Sequence, residues 1–478
     1  MALLDRLPRH LFTQRGWGML AAGAAALAAA QVMGRRDLLS LAVLLFVLPL
    51  VSLAGIRLVK PRFQVYREFN PSPVETSSPT TVRLAVARTG SASGRATMEE
   101  RLPARFGESP AFRFPSRSAT GGTSRYEYHL RSAQRGQFLI GPVTAEFTDP
   151  FGLSLHRQAI DDGDTLTVTP AAVVLPLTGL AGARGNDGVT ATRIRANPSD
   201  DDVMTREYRH GDPMRRVHWA ATARHGELMV RQEESVTTPE ATIILDHRFG
   251  AFSGSSGAAP AGNAAQDGHT MISSDTFEWA VVAAMSISAH LSERNYALRL
   301  LDARGEPAFL RSPSAPEPEL EEYIGASGLQ SIAESLAAIQ LTGPHHLHGG
   351  AGRGDFFGAR ESHGQEAGPP PFDDNLMDKL SAHRMRGPVI AVLGRISALE
   401  ALSLAPAAGY GTNAFAILVA ERPAEFEDAL EKLRQGGWRA AAVAPSVSVA
   451  AAWNQFDQDP AVPEPPAAEV RRGAGVAR

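Results

Sequence analysis

The chain has 478 residues, of which 44% are hydrophobic and 21% charged, with a formal net charge of −4 at pH 7. That length suits two to three domains, and the near-balanced charge excludes a generally basic, nucleic-acid-coating protein. The absence of cysteine excludes disulfides and thiolate metal sites, and sits comfortably in a reducing compartment.

Two apolar runs open the chain, WGMLAAGAAALAAAQVM (17–33) and LLSLAVLLFVLPLVSLAGI (38–56), separated by Gly34, Arg35, Arg36 and Asp37. Each approaches the roughly 20 residues a helix needs to cross a bilayer core. The pattern predicts a two-helix membrane anchor over 1–60; the competing reading is a buried helical hairpin of a soluble domain. Arg6, Arg9 and Arg15 precede the first run, and Arg57, Lys60, Arg62 and Arg67 follow the second, against two arginines in the turn. Cations favour the cytoplasmic side, so both ends and the bulk of the chain are expected inside the cell.

From 61 to 175 the pattern changes to short alternating runs: TVRLAVAR (81–88), SRYEYHL (124–130), QFLIGPVTAEF (137–147) and TLTVTP (165–170). Proline-, glycine- and serine-rich clusters separate them, which predicts a β-sandwich. RGQFLIGP (135–142) and DPFGL (149–153) read as turn and strand-end punctuation.

The stretch 241–456 alternates strands and helices. Strands are predicted at TIILD (242–246), YALRLLD (296–302), GPVIAVLG (387–394), NAFAILVA (413–420) and WRAAAVA (438–444). Helices are predicted at 276–295, 329–340, 373–384, 397–405, 424–435 and 448–456, which implies a mainly parallel sheet with helices on both faces. Inserts at 250–274 and 343–371, and the tail 457–478, are too poor in large apolar residues to build a core. His345, His346 and His348 in the second insert lack the carboxylate support of a specific metal site.

Between the two folded regions, 176–240 holds REYRHGDPMRRVHWAATARHGELMVRQEE (206–234), with six arginines against five carboxylates. Such interleaving favours ions that satisfy one another at an interface over a phosphate-tracking groove. His218 to Gln232 reads as a short helical or extended segment, a turn at His225-Gly226, then a strand. Trp219 is expected to pack in the domain junction with its indole N–H bonded to a carbonyl. His210, His218 and His225 could act as bases and Asp212 as an acid. However, the segment has no nucleophile elbow, HExxH or glycine-rich lysine loop, so no catalytic residue is assigned.

This stretch, followed at once by a strand ending in Asp246, resembles the domain of unknown function 58 family, as do the amino-terminal hairpin, RGQFLIGP and DPFGL. Two positions depart from that pattern: His218, where many members carry aspartate, and Ala220, where a basic residue is common. The resemblance implies a von Willebrand factor type A-like (Rossmann-like) parallel sheet after the signature. It also implies an accessory protein associated with MoxR-type AAA+ ATPases and transglutaminase-like membrane proteins. Domains of that type often hold a divalent cation in an Asp-x-Ser-x-Ser loop, whose converging oxygens suit a hard cation. Here Arg248 and Gly250 stand in place of the two serines. The site is therefore expected to hold no metal, with Asp246 pairing with Arg248 or capping a nearby helix.

The function expected is a non-enzymatic scaffold at the membrane, without cofactor, catalytic residue or nucleic acid. Arg206, Glu207, Tyr208, Gly211, Asp212, Arg215, Trp219 and Arg224 form its polar junction or partner surface. The rival readings are a metal-dependent von Willebrand-type binding module, a hydrolase of envelope precursors and a nucleic-acid binder.

Overall fold

The computed structural model describes residues 11–58, 62–89, 96–114, 123–149, 151–176, 205–209, 214, 217–231, 239–252, 271–342, 370–382 and 387–456. At the amino terminus, α1 (Gln14–Met33) and α2 (Arg36–Leu58) form a hairpin, and both are long and apolar enough to cross a membrane. Gly34 closes α1 in the left-handed region (φ 65) and donates its N–H to the Ala30 carbonyl. The turn is shorter than the sequence suggests, because Arg36 and Asp37 already belong to α2; an acid in a first turn favours the helix dipole. A Cβ on Gly23 would lie 3.3 Å from Leu45 and the Phe46 ring, so glycine permits the close helix approach there.

Ten strands follow: β1 (Arg62–Asn70), β2 (Val74–Glu75), β3 (Pro79–Thr89), β4 (Ala96–Glu100), β5 (Ala111–Phe114), β6 (Thr123–Arg131), β7 (Gly136–Ile140), β8 (Val143–Thr148), β9 (Leu155–Ala159) and β10 (Asp164–Thr169). They make three sheets, β1-β3-β6, β5-β4-β8-β9 and β2-β10-β7. Thr80, Val82, Leu84 and Val86 of β3 alternate inward, as a half-buried strand should. Leu84 and Val86 pack with Met98, Phe114 and Ala145 of the four-stranded sheet, and Val82 packs with Ile140 and Leu166 of the other. The run expected as one strand over 137–147 is two, in different sheets. Gly141 (φ 102) turns the corner, and Pro142 has no N–H to continue the ladder.

After the sandwich, β11 (Thr205–Glu207) pairs antiparallel with β12 (Met229–Arg231), and the short α3 (Trp219–His225) lies between them in sequence. The chain then enters a six-stranded sheet of β13 (Glu240–Leu245), β14 (Ala297–Leu301), β15 (Glu322–Tyr323), β16 (Val389–Leu393), β17 (Ala414–Val419) and β18 (Arg439–Val443). Its spatial order is β15-β14-β13-β16-β17-β18, with every pair parallel except β14–β15. After the one-turn α4 (Phe249–Phe252), one face carries α5 (Asp275–Ser292) and α6 (Gly325–Ala337). The opposite face carries α7 (Asp374–Ser381), α8 (Ala398–Leu404) and α9 (Glu427–Gln435), while α10 (Val449–Asn454) returns to the first. The expected α/β alternation is present, with β15 as an addition. Ala251, Phe252 and Ser273, placed within the first insert by composition, are buried against this core.

The two motifs read as punctuation are joints. Asp149 of DPFGL accepts main-chain N–H bonds from Phe151 (3.0 Å), Leu153 (2.6 Å) and Ser154 (2.6 Å). The loop it shapes docks the start of α1: Thr13 N–H donates to the Leu153 carbonyl (2.9 Å), and Thr13 Oγ1 donates to that of Gly152 (2.6 Å). Arg135 of RGQFLIGP is 2% exposed and crosses from the sandwich to the α/β unit. There it forks onto Glu278 of α5 (2.9 Å twice) and donates to the carbonyls of Leu336, Ala337 and Ile339. Sequence spacing alone could not distinguish these residues from ordinary turn formers.

Candidate functional site

In the six-stranded sheet, connections from β13 run one way and those from β16 the other. The strand order therefore reverses between these neighbours, and the carboxyl ends of strands at such a reversal form a ligand crevice in open α/β sheets. Asp246 follows β13 there and is fully buried. Arg248 engages both its oxygens: Nε to Oδ1 (2.9 Å) and Nη2 to Oδ2 (2.8 Å), while the Arg248 main-chain N–H also donates to Oδ1 (3.0 Å). The third guanidinium nitrogen, Nη1, donates to Glu400 Oε1 (2.5 Å), and the plane lies 5.3 Å over the Phe372 ring. The pairing of Asp246 with Arg248 anticipated from sequence is present.

Glu400 serves two elements. Its Oε2 accepts the Ser397 N–H (2.7 Å) in the capping box of α8, and its other oxygen receives Arg248. Burial pushes the Glu400 carboxyl up, but the Ser397 N–H and Arg248 outweigh it and hold the group below the usual carboxylate range. Burial likewise disfavours charge on Arg248, but Asp246 and Glu400 outweigh it and keep the guanidinium protonated. Burial also holds the His247 imidazole below its ordinary range. Asp302 and Asp246 oppose that shift, and Arg311 adds to it. Nδ1 of His247 lies 3.0 Å from Thr342 Oγ1, and Nε2 lies 3.8 Å from Asp302 Oδ2.

Above this triad opens a cleft of about 420 Å³, whose walls include His247, Phe249, Asp302, Thr342 and Glu400 and four arginines, Arg248, Arg304, Arg311 and Arg395. A cavity of about 270 Å³ adjoins it and shares His247, Asp302, Arg304 and Arg311. Arg304, Arg311 and Arg395 were not singled out by sequence reasoning. They sit in two separate loops, after β14 and after β16, without a common motif.

Within the arginine-rich signature, β11 and β12 form a two-stranded sheet of their own. His218 Nδ1 accepts the Ala221 N–H (3.1 Å) and so caps α3, and Gly226 (φ 74) ends that helix in the left-handed region. The helix, the turn at His225-Gly226 and the strand expected from the sequence are in place over 219–231. The main-chain bonds Tyr208 N–H to Leu228 O (2.8 Å) and His218 N–H to Met229 O (2.8 Å) close the unit on itself. The expectation for Trp219 is overturned: it is 66% exposed. Trp219 opens a seven-residue helix that buries none of its side chains, so its ring is left outward. Glu207, Arg209 and Arg224 are also exposed. Gly211, Asp212, Arg215 and His210, the side chain of Arg206, and His345, His346 and His348 lie outside the described residues.

Residues 204–258 match the family described as "Protein of unknown function DUF58". The match spans the signature unit, β13 and the Asp246–Arg248 turn, and supports the resemblance carried by the sequence. No curated protein matches the chain. Among solved structures, the chain is similar to a superoxide reductase (neelaredoxin) from Ignicoccus hospitalis at 12% identity and a TM-score of 0.15, over 24% of this chain and 86% of that one. A similarity at that score carries no argument about fold or activity.

Proposed function

We propose that the protein is a membrane-anchored, non-enzymatic adaptor whose von Willebrand factor type A-like domain binds a partner protein from the cytoplasmic side. The observation that carries this reading is the Arg248 fork on Asp246. Where a metal-dependent module would present an open carboxylate, this chain closes it with its own guanidinium. The other acids and the base of the cleft are also committed. Glu400 caps α8, Asp302 accepts the N–H groups of Arg304 (2.8 Å) and Glu306 (2.9 Å), and His247 faces Thr342. A cleft whose titratable groups are fixed in structural bonds suits recognition better than proton transfer.

Membrane anchoring is supported by the hairpin's surface. Leu39, Val43, Leu44, Val47, Leu50 and Val51 are all exposed, an arrangement that water disfavours and lipid satisfies. The cations flanking both outer ends favour a cytoplasmic body. The expected partner is a MoxR-type AAA+ ATPase, with a transglutaminase-like membrane protein as a further member of the assembly. The signature unit, with Trp219, Arg224 and Glu207 facing outward, is a second candidate contact surface. Purification from the native membrane in mild detergent tests this reading, comparing wild type with Asp212→Ala after equal folding and insertion are verified. An AAA+ ATPase that accompanies wild type supports the adaptor, and its loss from the variant would place the contact at the signature. If no ATPase accompanies wild type, the named partner is wrong.

A further inference from the structure

We infer that the cleft at the carboxyl edge of the six-stranded sheet receives a carboxylate-bearing segment of a partner protein, held by Arg304, Arg311 and Arg395 without a bridging metal. This rests on the adaptor reading and gives it a contact chemistry.

Shape is the first argument. The cleft, about 420 Å³, falls in the size range of ligand sites, and the adjoining cavity of about 270 Å³ shares four of its lining residues. Charge is the second. Arg248 directs each of its three nitrogens to Asp246 or Glu400, so it forms the floor of the cleft. Arg304, Arg311 and Arg395 form no ion pair among the described residues, although they line one cavity. Arg311 and Arg395 are exposed and Arg304 half-buried, so three like charges gather at the mouth against Asp302, with Glu400 held by Arg248 and with Glu306 and Asp373 lining the neighbouring cavity. A planar guanidinium offers a carboxylate two parallel donors, and such pairing strengthens where walls exclude water.

The main chain distinguishes a carboxylate from a phosphate. Phosphate sites recruit free backbone N–H groups. Here five N–H groups of the rim are taken: Arg248 by Asp246, Arg304 by Asp302, Phe249 by Thr342 O (3.1 Å), Ala251 by Arg248 O (3.0 Å) and Arg395 by Ala251 O (2.7 Å). Asp302 and Glu400 in the walls repel a dianion more than a single carboxylate. Half-buried Phe249 and exposed Leu310 add apolar surface at the cleft and its neighbour, which fits an acidic segment with interspersed apolar side chains.

The test uses the full chain in detergent and a fluorescein-labelled hexapeptide of alternating glutamate and leucine, read by fluorescence anisotropy. Saturable binding is expected that survives EDTA and weakens with salt. The affinity should fall at least tenfold in Arg304→Gln/Arg311→Gln and, separately, in Arg395→Gln. It should be unchanged in Arg83→Gln, a sandwich-surface control, with all melting temperatures matched to wild type. Equal binding of the glutamine counterpart, loss of binding on EDTA, or equal binding by the cleft variants each overturns the inference. So does pyrophosphate binding more tightly than the peptide, which would assign the arginines to a phosphate. If the peptide fails while the ATPase still co-purifies with wild type, this contact chemistry falls and the adaptor stands.

Discussion

Arg135, just before β7 of the sandwich, forks onto the carboxylate of Glu278 on α5, 143 residues further along the chain. The same guanidinium collects three carbonyls at the end of α6, and its carbon lies 5.7 Å over the Phe277 ring. One buried side chain therefore couples the sandwich to the sheet that carries the cleft. Arg135→Met should uncouple the two units, leaving the α6 carbonyls without their donor and Glu278 with the Ser273 hydroxyl alone. The cost should be roughly 2–4 kcal/mol, less than for a fully enclosed pair because Glu278 keeps some solvent contact. Calorimetry should show one transition in wild type and two in the variant; a single unshifted transition would contradict the coupling.

The loop around Asp149 should control docking of the amino-terminal hairpin. A Cβ on Gly16 would stand 2.1 Å from the Leu153 carbonyl oxygen, so Gly16→Ala should push α1 off this loop. Burial raises the Asp149 carboxyl. Hydrogen bonds from Ser52 and from the Ser154, Leu153 and Phe151 N–H groups outweigh it, so the group lies below its ordinary range. A depressed carboxyl contributes stability above its unfolded value and loses it as pH falls through the folded one, so docking should weaken only in strong acid. Hydrogen exchange at residues 11–16 and 151–155 should quicken in Gly16→Ala and in Asp149→Ala at neutral pH. Unchanged exchange would contradict the joint.

His290 predicts a second, milder pH response. Burial pushes its imidazole down to about 4; Arg294 acts in the same direction, and Glu293 and the Leu175 main chain oppose it. The ring packs edge-on against Trp453 at 5.6 Å. Because the folded value lies below the ordinary one, its contribution is complete above about 6.5 and declines as pH falls toward 4, on the order of 3 kcal/mol in all. His290→Gln should flatten urea-unfolding stability over that window. An equal slope in wild type and variant would assign the response elsewhere.

The α/β strands were legible because runs such as VIAVL and AFAILV are buried throughout, as a parallel sheet between helix layers requires. Strand β1 was not. Its Arg67 points inward to Glu100 (2.5 Å), Asp161 (2.9 Å) and Asp164 (2.6 Å), so a charge stands where the pattern calls for an apolar residue. At the site, Asp246 and Arg248 were readable because they lie two residues apart. Arg304, Arg311 and Arg395 were not, since only the crossovers of the sheet bring them to one cleft. Trp219 was misjudged because an aromatic residue in a polar stretch usually seeks cover, whereas α3 turns this one outward.

The Asp246–Arg248 fork carries a prediction about metal. With both carboxylate oxygens already occupied, wild type should show no melting-temperature response to magnesium. Arg248→Ser/Gly250→Ser would restore hydroxyl oxygens and release the buried carboxylate. It should lower stability without metal and regain several degrees with millimolar magnesium. A magnesium response in wild type, abolished by Asp246→Ala, would favour a metal-dependent module instead.

The most direct test of the adaptor is co-purification from native membranes with the cleft as the variable, comparing wild type, Arg304→Gln/Arg311→Gln and the Arg83→Gln control at equal expression. An AAA+ ATPase should accompany wild type and control and be lost from the cleft variant. An ATPase retained equally by all three would contradict docking at the cleft, and its absence from wild type would contradict the named partner.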